Sequence, residues 1–276
     1  MSTELTVTSI RRGPGAVVRR LRARLQRHPL PIDAHLHDCL TLTYALPAAV
    51  LRPLLPPGLE LDTLAGNGFL AIALVSARGL RPAGLPRALG RDFFLAGYRI
   101  FTRFRAPGGR TIRGLRILRS DADSALMVIG GNLLTHYNYR RCRADVEATG
   151  DRLHVGVSSP DGGGDLDVTV DLADHSLPAG SPFASVREAR RFAGPLLYTF
   201  DYEPESDAIV AIEARRTNWR PAPAAARVDR VAFFDGPSFA GCAPVLAAAF
   251  HVSRIDYRWL RGVRYPLAPA SMQSPA

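Results

Sequence analysis

The 276-residue chain contains no lysine; all 35 of its Lys-plus-Arg residues are arginine. Arginine stays protonated and cannot serve as a Schiff-base amine, so any mechanism that needs a lysine is excluded. Cysteine is nearly as scarce. Cys39, Cys142 and Cys242 are odd in number, far apart and without a CxxC pair, which suggests neither a disulfide framework nor a cysteine zinc site. A reducing, cytoplasmic setting is therefore the expectation. Long apolar runs are missing as well. "FLAIALVSA" (69–77) has strand length and "CAPVLAAAFHV" (242–252) is interrupted by proline, whereas a membrane span needs roughly 18–20 apolar residues. No transmembrane segment is expected, and the start carries no signal-peptide pattern. A GxSxG elbow, a P-loop and a dinucleotide fingerprint are absent too, and "SPDGGGD" lacks the GKT end of a phosphate loop. No cofactor is expected.

What is present is an ordinary globular composition, 47% hydrophobic and 22% charged. The formal net charge of +10 is unevenly spread: residues 1–30 carry seven arginines and only Glu4 as an acid. Within them "AVVRRLRARLQRH" sets Val18, Leu21 and Leu25 along one helical stripe. That stripe suits packing on the domain, a partly ordered tail, or contact with an anionic membrane or nucleic acid. No nucleic-acid motif or interleaved aromatic platform accompanies the charge, so no specific nucleic-acid partner is expected. The domain reading is a basic N-terminal helix or tail over 1–30, one domain over 31–267, and a disordered tail over 268–276.

From residue 36 the pattern turns to strands. "LHDCLTLTY" alternates, with Leu36, Leu40, Leu42 and Tyr44 on one face and His35, His37, Cys39, Thr41 and Thr43 on the other. A short helix must stop by Pro56–Pro57–Gly58. "GFLAIALVSARGL" reads as a buried strand, and "GYRIFTRFR" with "RTIRGLRILRS" as a hairpin. "SDADS" (120–124) reads as a turn. "ALMVIGGNLL", "RADVEAT", "LHVGVSS" and "LDVTVDL" continue as strands; 185–193 reads as a helix, "DAIVAIEARRTNW" as a strand, "APVLAAAF" as a helix, and "HVSRIDYRWL" as a last strand.

"PIDAHLHDC" (31–39) holds the Asp-x-His-x-His with which amidohydrolases begin a metal site. That barrel needs alternating strands and helices. Here hairpins dominate, the other histidines make no HxxH or HExxH spacing, and the carboxylated lysine of many such sites is unavailable. No metal is expected at His35 and His37.

"LTYALPAAVLRPLLPPGLELDTLAGNGFLAIALV", followed by "RGLRPAGLP", "DFFLAGYRIFTRF", "ILRSDADSALMVIGGNLLTHYNYRR" and "GSPFASVREARRFAGPLLYTF", resembles the DUF2071 (YqjF-like) family, related to acetoacetate decarboxylase. The resemblance spans about residues 36–265. It implies an α+β domain: a mostly antiparallel, strongly bent sheet or β-barrel with a few peripheral helices and an internal ligand cavity. It also places His37 where the decarboxylases have a pocket arginine. The decarboxylases' Schiff-base lysine block is replaced by "GGNLLTHYNYRR", with Asn132 for a glutamate and Asn138 to Arg140 around the lysine position. A second glutamate meets Leu95 or Ala96. The fold carries over; the decarboxylase mechanism does not.

The candidate site follows from both lines. His37, His136 and Tyr139 are the proton-transfer candidates. His35, Arg99, Arg116, Asn132 and Asn138 are the ligand-binding candidates. Arg99 and Arg116 belong to a stretch, 99–119, with seven arginines and no acid, suited to a carboxylate or phosphate. His37, Arg99 and His136 are expected to converge on one cavity. The expected partner is a small anionic or carbonyl compound. It would be handled either by lysine-independent lyase- or isomerase-type chemistry or by binding alone, and a homo-oligomer is compatible with both.

Overall fold

The computed structural model describes residues 14–193 and 196–267; the expected C-terminal tail lies outside them. Helix α1 (Pro14–Leu25) leads into β1 (Ile32–Pro47), a short α2 (Ala48–Leu51) and one 3-10 turn that ends before the proline pair. The small strands β2 (Leu59–Leu61) and β3 (Thr63–Leu64) precede two long ones, β4 (Asn67–Pro82) and β5 (Arg91–Arg105). Strand β6 (Thr111–Ala122) completes the expected hairpin, and α3 (Ala125–Leu134) follows it. Next come β7 (Tyr139–Arg141), β8 (Arg143–Thr149), β9 (Arg152–Ser158) and β10 (Leu166–Asp171). After α4 (Val186–Ala193) the chain forms β11 (Tyr198–Glu203), β12 (Ala208–Arg216), β13 (Ala222–Pro223), β14 (Ala225–Val231), β15 (Val245–Trp259) and β16 (Val263–Pro266).

Most strands join one strongly curved sheet in the order β13-β15-β1-β4-β5-β6-β11-β12-β16. Pairing is antiparallel except at β6–β11 and β6–β7. Strand β12 also pairs with β15, through Ala214–Trp259, Arg215–Arg258 and Arg216–Tyr257, so the two limbs of the sheet meet. A second antiparallel sheet, β14-β10-β9-β8, covers one face. The α+β, mostly antiparallel and strongly bent architecture is thus the one expected.

Two cores share the central strands. Leu40, Leu42, Leu70, Ile72, Tyr98 and Ile100 pack against Val155, Val157, Val168 and Val170 of the second sheet. The opposite parity faces the concave side with Cys39, Ala73, Val75, Phe93, Leu95 and Tyr139. Burial on both faces is why "FLAIALVSA" reads as unbroken apolar sequence. Size nevertheless alternates along β4: Leu70, Ile72 and Leu74 fill the inter-sheet core, while Ala71, Ala73 and Ala77 face inward. The row Thr41–Ala73–Gly97–Ser120 runs across four paired strands. Small side chains there leave room on the concave side.

Three local expectations are corrected. "ALMVIGGNLL" is helix α3, not strand, because Ser124 caps it, its hydroxyl accepting the Met127 N–H at 3.3 Å. "SDADS" is no separate turn: Ser120 to Ala122 finish β6 and Ser124 is that cap. "APVLAAAF" is the start of β15, not a helix. Ala247, Ala248 and Ala249 are buried in the sheet beside β1, where tertiary packing overrides alanine's helical preference. The α1 stripe also differs from the packed alternative: Val18, Leu21 and Leu25 point outward while Ala23 is buried. The end of the basic segment is docked, with Arg27 paired to buried Glu203 at 2.6 and 2.7 Å.

Candidate functional site

A cavity of about 420 Å³ lies on the concave side of the sheet, roofed by α3 and by Ala193, Leu196, Leu197 and Thr199. Its floor comes from the small inward residues of β1, β4 and β6, including Thr41, Ala71, Ala73 and Ser120. Most of the wall is apolar. Among the described residues no Asp or Glu lines it, yet Arg81, Arg91, Arg99 and Arg216 do.

Arg99 lies on β5 opposite Ala71 and Ile117. Its guanidinium folds back over Gly97, where an added Cβ would stand 2.9 Å from Nη2 and 3.0 Å from Nε. The Arg99 Nε is buried and has no hydrogen-bond partner among the described residues. Arg216 ends β12, and its guanidinium carbon sits 3.7 Å from the Trp219 ring centroid, a cation–π stack. Its Nη2 and the indole Nε1 of Trp219 are likewise buried without partners. Burial lowers the Arg216 pKa, with Tyr257 and Cys39 opposing.

Both guanidiniums act on the same two groups. Burial pushes the Cys39 thiol upward, while Arg99 and Arg216 pull it back. Burial also raises the Tyr257 phenol, against Arg216 and Arg99. The two arginines thus both line the cavity within electrostatic reach of Cys39 and Tyr257. Tyr139 is pushed up to about 12 by burial, with Arg99 opposing. Tyr137 is raised well above its ordinary value by the same cause and shares a 2.6 Å hydrogen bond with Thr199. The cavity tyrosines are hydrogen-bond donors, not phenolates. His28 completes the polar wall: burial lowers its pKa, and its buried Nδ1 has no partner among the described residues.

The sequence candidates divide sharply. Arg99 and Tyr139 line the cavity. Asn132 does not; it holds Tyr139 by both ends of its amide, Nδ2 donating to the Tyr139 carbonyl at 2.9 Å and Oδ1 accepting the Tyr139 N–H at 2.8 Å. Tyr139 then packs its ring on Gly131, where a Cβ would come within 2.3 Å. Asn138 is exposed at φ 52° and donates to the Leu118 carbonyl at 3.2 Å.

His37 is not part of the wall. Strand β1 bulges between Leu36 and Asp38, so Leu36 and Cys39 both face the cavity and the parity read from sequence is broken. His37 Nδ1 lies 2.5 Å from Asp38 Oδ2, and Asp38 Oδ1 lies 3.0 Å from His251 Nε2. His35 Nδ1 is 3.0 Å from Asp256 Oδ1, in an arginine-rich groove that shares Arg81, Arg216 and Tyr257 with the cavity. Each imidazole of the Asp-x-His-x-His string is thus committed to a carboxylate. Among the described residues no three His, Cys, Asp or Glu side chains gather as a metal site. Arg116 and His136 form a separate cluster around buried Asp201, which pairs with the Arg116 guanidinium and accepts the His136 backbone N–H at 3.1 Å. Of the three residues expected to converge, only Arg99 reaches the cavity.

The profile of DUF2071, described as an uncharacterized conserved protein, matches residues 33–255. The chain belongs to the DUF2071 family. No curated protein matches its sequence. Among solved structures, acetoacetate decarboxylase from Legionella pneumophila is similar at TM-score 0.60 and 11% identity, over 88% of this chain and 89% of that one. The enduracididine biosynthesis enzyme MppR, complexed with the condensation product of pyruvate and imidazole 4-carboxaldehyde, is similar at 0.59 and 16%, over 86% and 89%. An acetoacetate decarboxylase-like enzyme from Sphingomonas wittichii RW1 gives 0.56 and 15%, over 88% and 96%. At these identities the likeness establishes the fold of this DUF2071 member. Arg216, Trp219, Tyr257 and His28 were missed by sequence reasoning; the one local signal was the Arg-x-x-Trp spacing inside "ARRTNW".

Proposed function

We propose that the chain binds a small organic carboxylate in the concave cavity, with Arg99 and Arg216 receiving the anion and Tyr139, Tyr257 and Trp219 donating hydrogen bonds around it. One observation carries this reading: two guanidiniums with buried, unpartnered N–H groups in a cavity whose described wall holds no acid. A half-buried arginine with an unpartnered buried N–H and no counter-ion is costly, and a ligand carboxylate relieves that cost. The apolar remainder of the wall favours a hydrocarbon or aromatic body on the ligand. The MppR structures with pyruvate make a 2-oxo acid a sensible first probe.

Titration calorimetry with pyruvate, benzoate and octanoate tests the reading. At least one should bind, and Arg99→Met or Arg216→Met should weaken it roughly 10- to 100-fold, as expected for charge-assisted hydrogen bonds. Equal affinity in wild type and both variants would discard the site. A second reading, proton transfer in the same cavity, is favoured by His28, a neutral imidazole with a free Nδ1. Exchange of a bound ligand's α-proton into deuterium oxide, lost in His28→Gln, separates chemistry from unchanged release.

A further inference from the structure

Helices α1 and α3 pack beside each other, and both turn their large apolar side chains outward. Val18 and Leu21 are 65% and 59% exposed, and on α3 Leu126 and Ile129 are 61% and 67% exposed. The helices are held together at their C-terminal ends, so the two stripes are neighbours on the exterior. Gln26, just past α1, donates through Nε2 to the Asn132 carbonyl at 2.9 Å, and the His28 N–H donates to the Leu134 carbonyl at 2.9 Å. Around the α1 stripe stand exposed Arg19, Arg22 and Arg24; neither helix contains an acid. Leu126 and the equally exposed Leu89 also line the cavity, so the surface borders its mouth.

We propose that this surface docks on an anionic lipid bilayer, with the two helices lying in the headgroup plane and the cavity mouth facing the membrane. Apolar side chains ringed by arginine are the composition of an interfacial helix. The arginines add attraction to anionic headgroups. The same composition argues against a second copy of the chain, because a self-complementary contact would set the α1 arginines of both copies against each other. It also argues against nucleic acid, which has no use for four exposed aliphatic side chains. Membrane docking is independent of what the cavity holds.

Vesicle co-sedimentation of the full chain tests it, with phosphatidylcholine alone or mixed with phosphatidylglycerol, at 0.1 and 0.5 M NaCl. Binding should require phosphatidylglycerol and fall several-fold at the higher salt. Leu21→Glu/Ile129→Glu should reduce it at least about tenfold. Arg19→Gln/Arg22→Gln/Arg24→Gln should do so while leaving the apolar stripe intact. All these positions are exposed, and an unchanged melting curve confirms that the variants fold. No sedimentation with the mixed vesicles at 0.1 M NaCl overturns the proposal. So does a wild-type dimer that Leu21→Glu/Ile129→Glu converts to monomer, or binding to DNA that this variant leaves unchanged.

Discussion

Arg99 and Arg216 stand apart from the other inward-reaching arginines because the buried acids are committed elsewhere. Asp62 takes Arg103 and Arg113, each at 2.5 Å; Glu203 takes Arg27; Asp201 takes Arg116; Asp121 takes Arg119, which also holds Asp161. Arg99 and Arg216 are half-buried, and replacing an unpaired charge of that kind with an apolar side chain of similar volume should be neutral or stabilising, by about 0–2 kcal/mol. Arg99→Met and Arg216→Met should therefore melt at or above the wild-type temperature without ligand while losing carboxylate binding. A melting temperature lowered by more than a few degrees would make these arginines structural. Asp161 gives the opposite case. Hydrogen bonds from Arg119, then Ser159 and Arg140, hold its carboxyl below the usual value. A depressed folded pKa means stability that is present above the unfolded value near 3.8 and lost as pH falls through the folded one. The stability gap between wild type and Asp161→Asn should be flat above about pH 5 and shrink below about pH 4. Its size should be about 1 kcal/mol, since Asp161 is largely solvent-screened; a gap that widens on acidification would contradict the assignment. Arg99 was legible from its place in an acid-free arginine run. Arg216 was not, because its value depends on Trp219 and on strands far away in sequence.

At the scale of elements, the hairpin β5–β6 and the three strands of the second sheet before β14 were legible because their alternation and turns are local. Three features were not. The bulge in β1 reverses which side chains face inward, and the run from Leu36 to Tyr44 carries no glycine or other mark of it. Helix α3 and the alanine-rich opening of β15 exchange the expected types, since a short apolar run fits either element until its neighbours decide. The cavity itself depends on alternation of size within an apolar strand, a subtler signal than alternation of polarity. Ala73 sits mid-floor between Thr41 and Gly97. Ala73→Leu should project into open space, block carboxylate binding and cost less than the roughly 1–3 kcal/mol of overpacking a filled core. A loss of stability beyond that range, measured by denaturant unfolding, would show the floor to be packed. The junction after α1 carries a second test. Because Arg27 neutralises buried Glu203, deleting residues 1–28 should destabilise the domain by about 1–3 kcal/mol, less than a fully buried pair because Arg27 is partly exposed. Arg27→Ala alone should reproduce most of that loss. If deletion costs nothing, the basic segment is an appendage.

For the molecule as a whole, the curved sheet and the absence of lysine together decide which chemistry the fold can support. The fold brings β1, β5, β7 and the ends of β12 and β15 around one cavity, and it does so in a sequence that contains no lysine. In the block that resembles the decarboxylases' lysine segment, Asn132 clasps the Tyr139 backbone and Tyr139 turns its ring to the cavity. The segment thus retains a defined structure with donors in place of an amine. A carbonyl ligand entering here meets guanidiniums, phenols, a thiol and an imidazole, none of which forms a stable reducible imine. Incubation with pyruvate or acetoacetate followed by borohydride should therefore leave residues 33–255 unmodified in peptide mass spectra, even at ligand concentrations that saturate the cavity. The chain's α-amine is the only primary amine available for an adduct. Saturable binding of an oxo acid without a trapped internal adduct would match a cavity that holds its ligand by charge and hydrogen bonds. A reduced adduct mapped to a cavity residue would require a nucleophile that this sequence does not contain, and would overturn the mechanistic separation from the lysine-dependent decarboxylases.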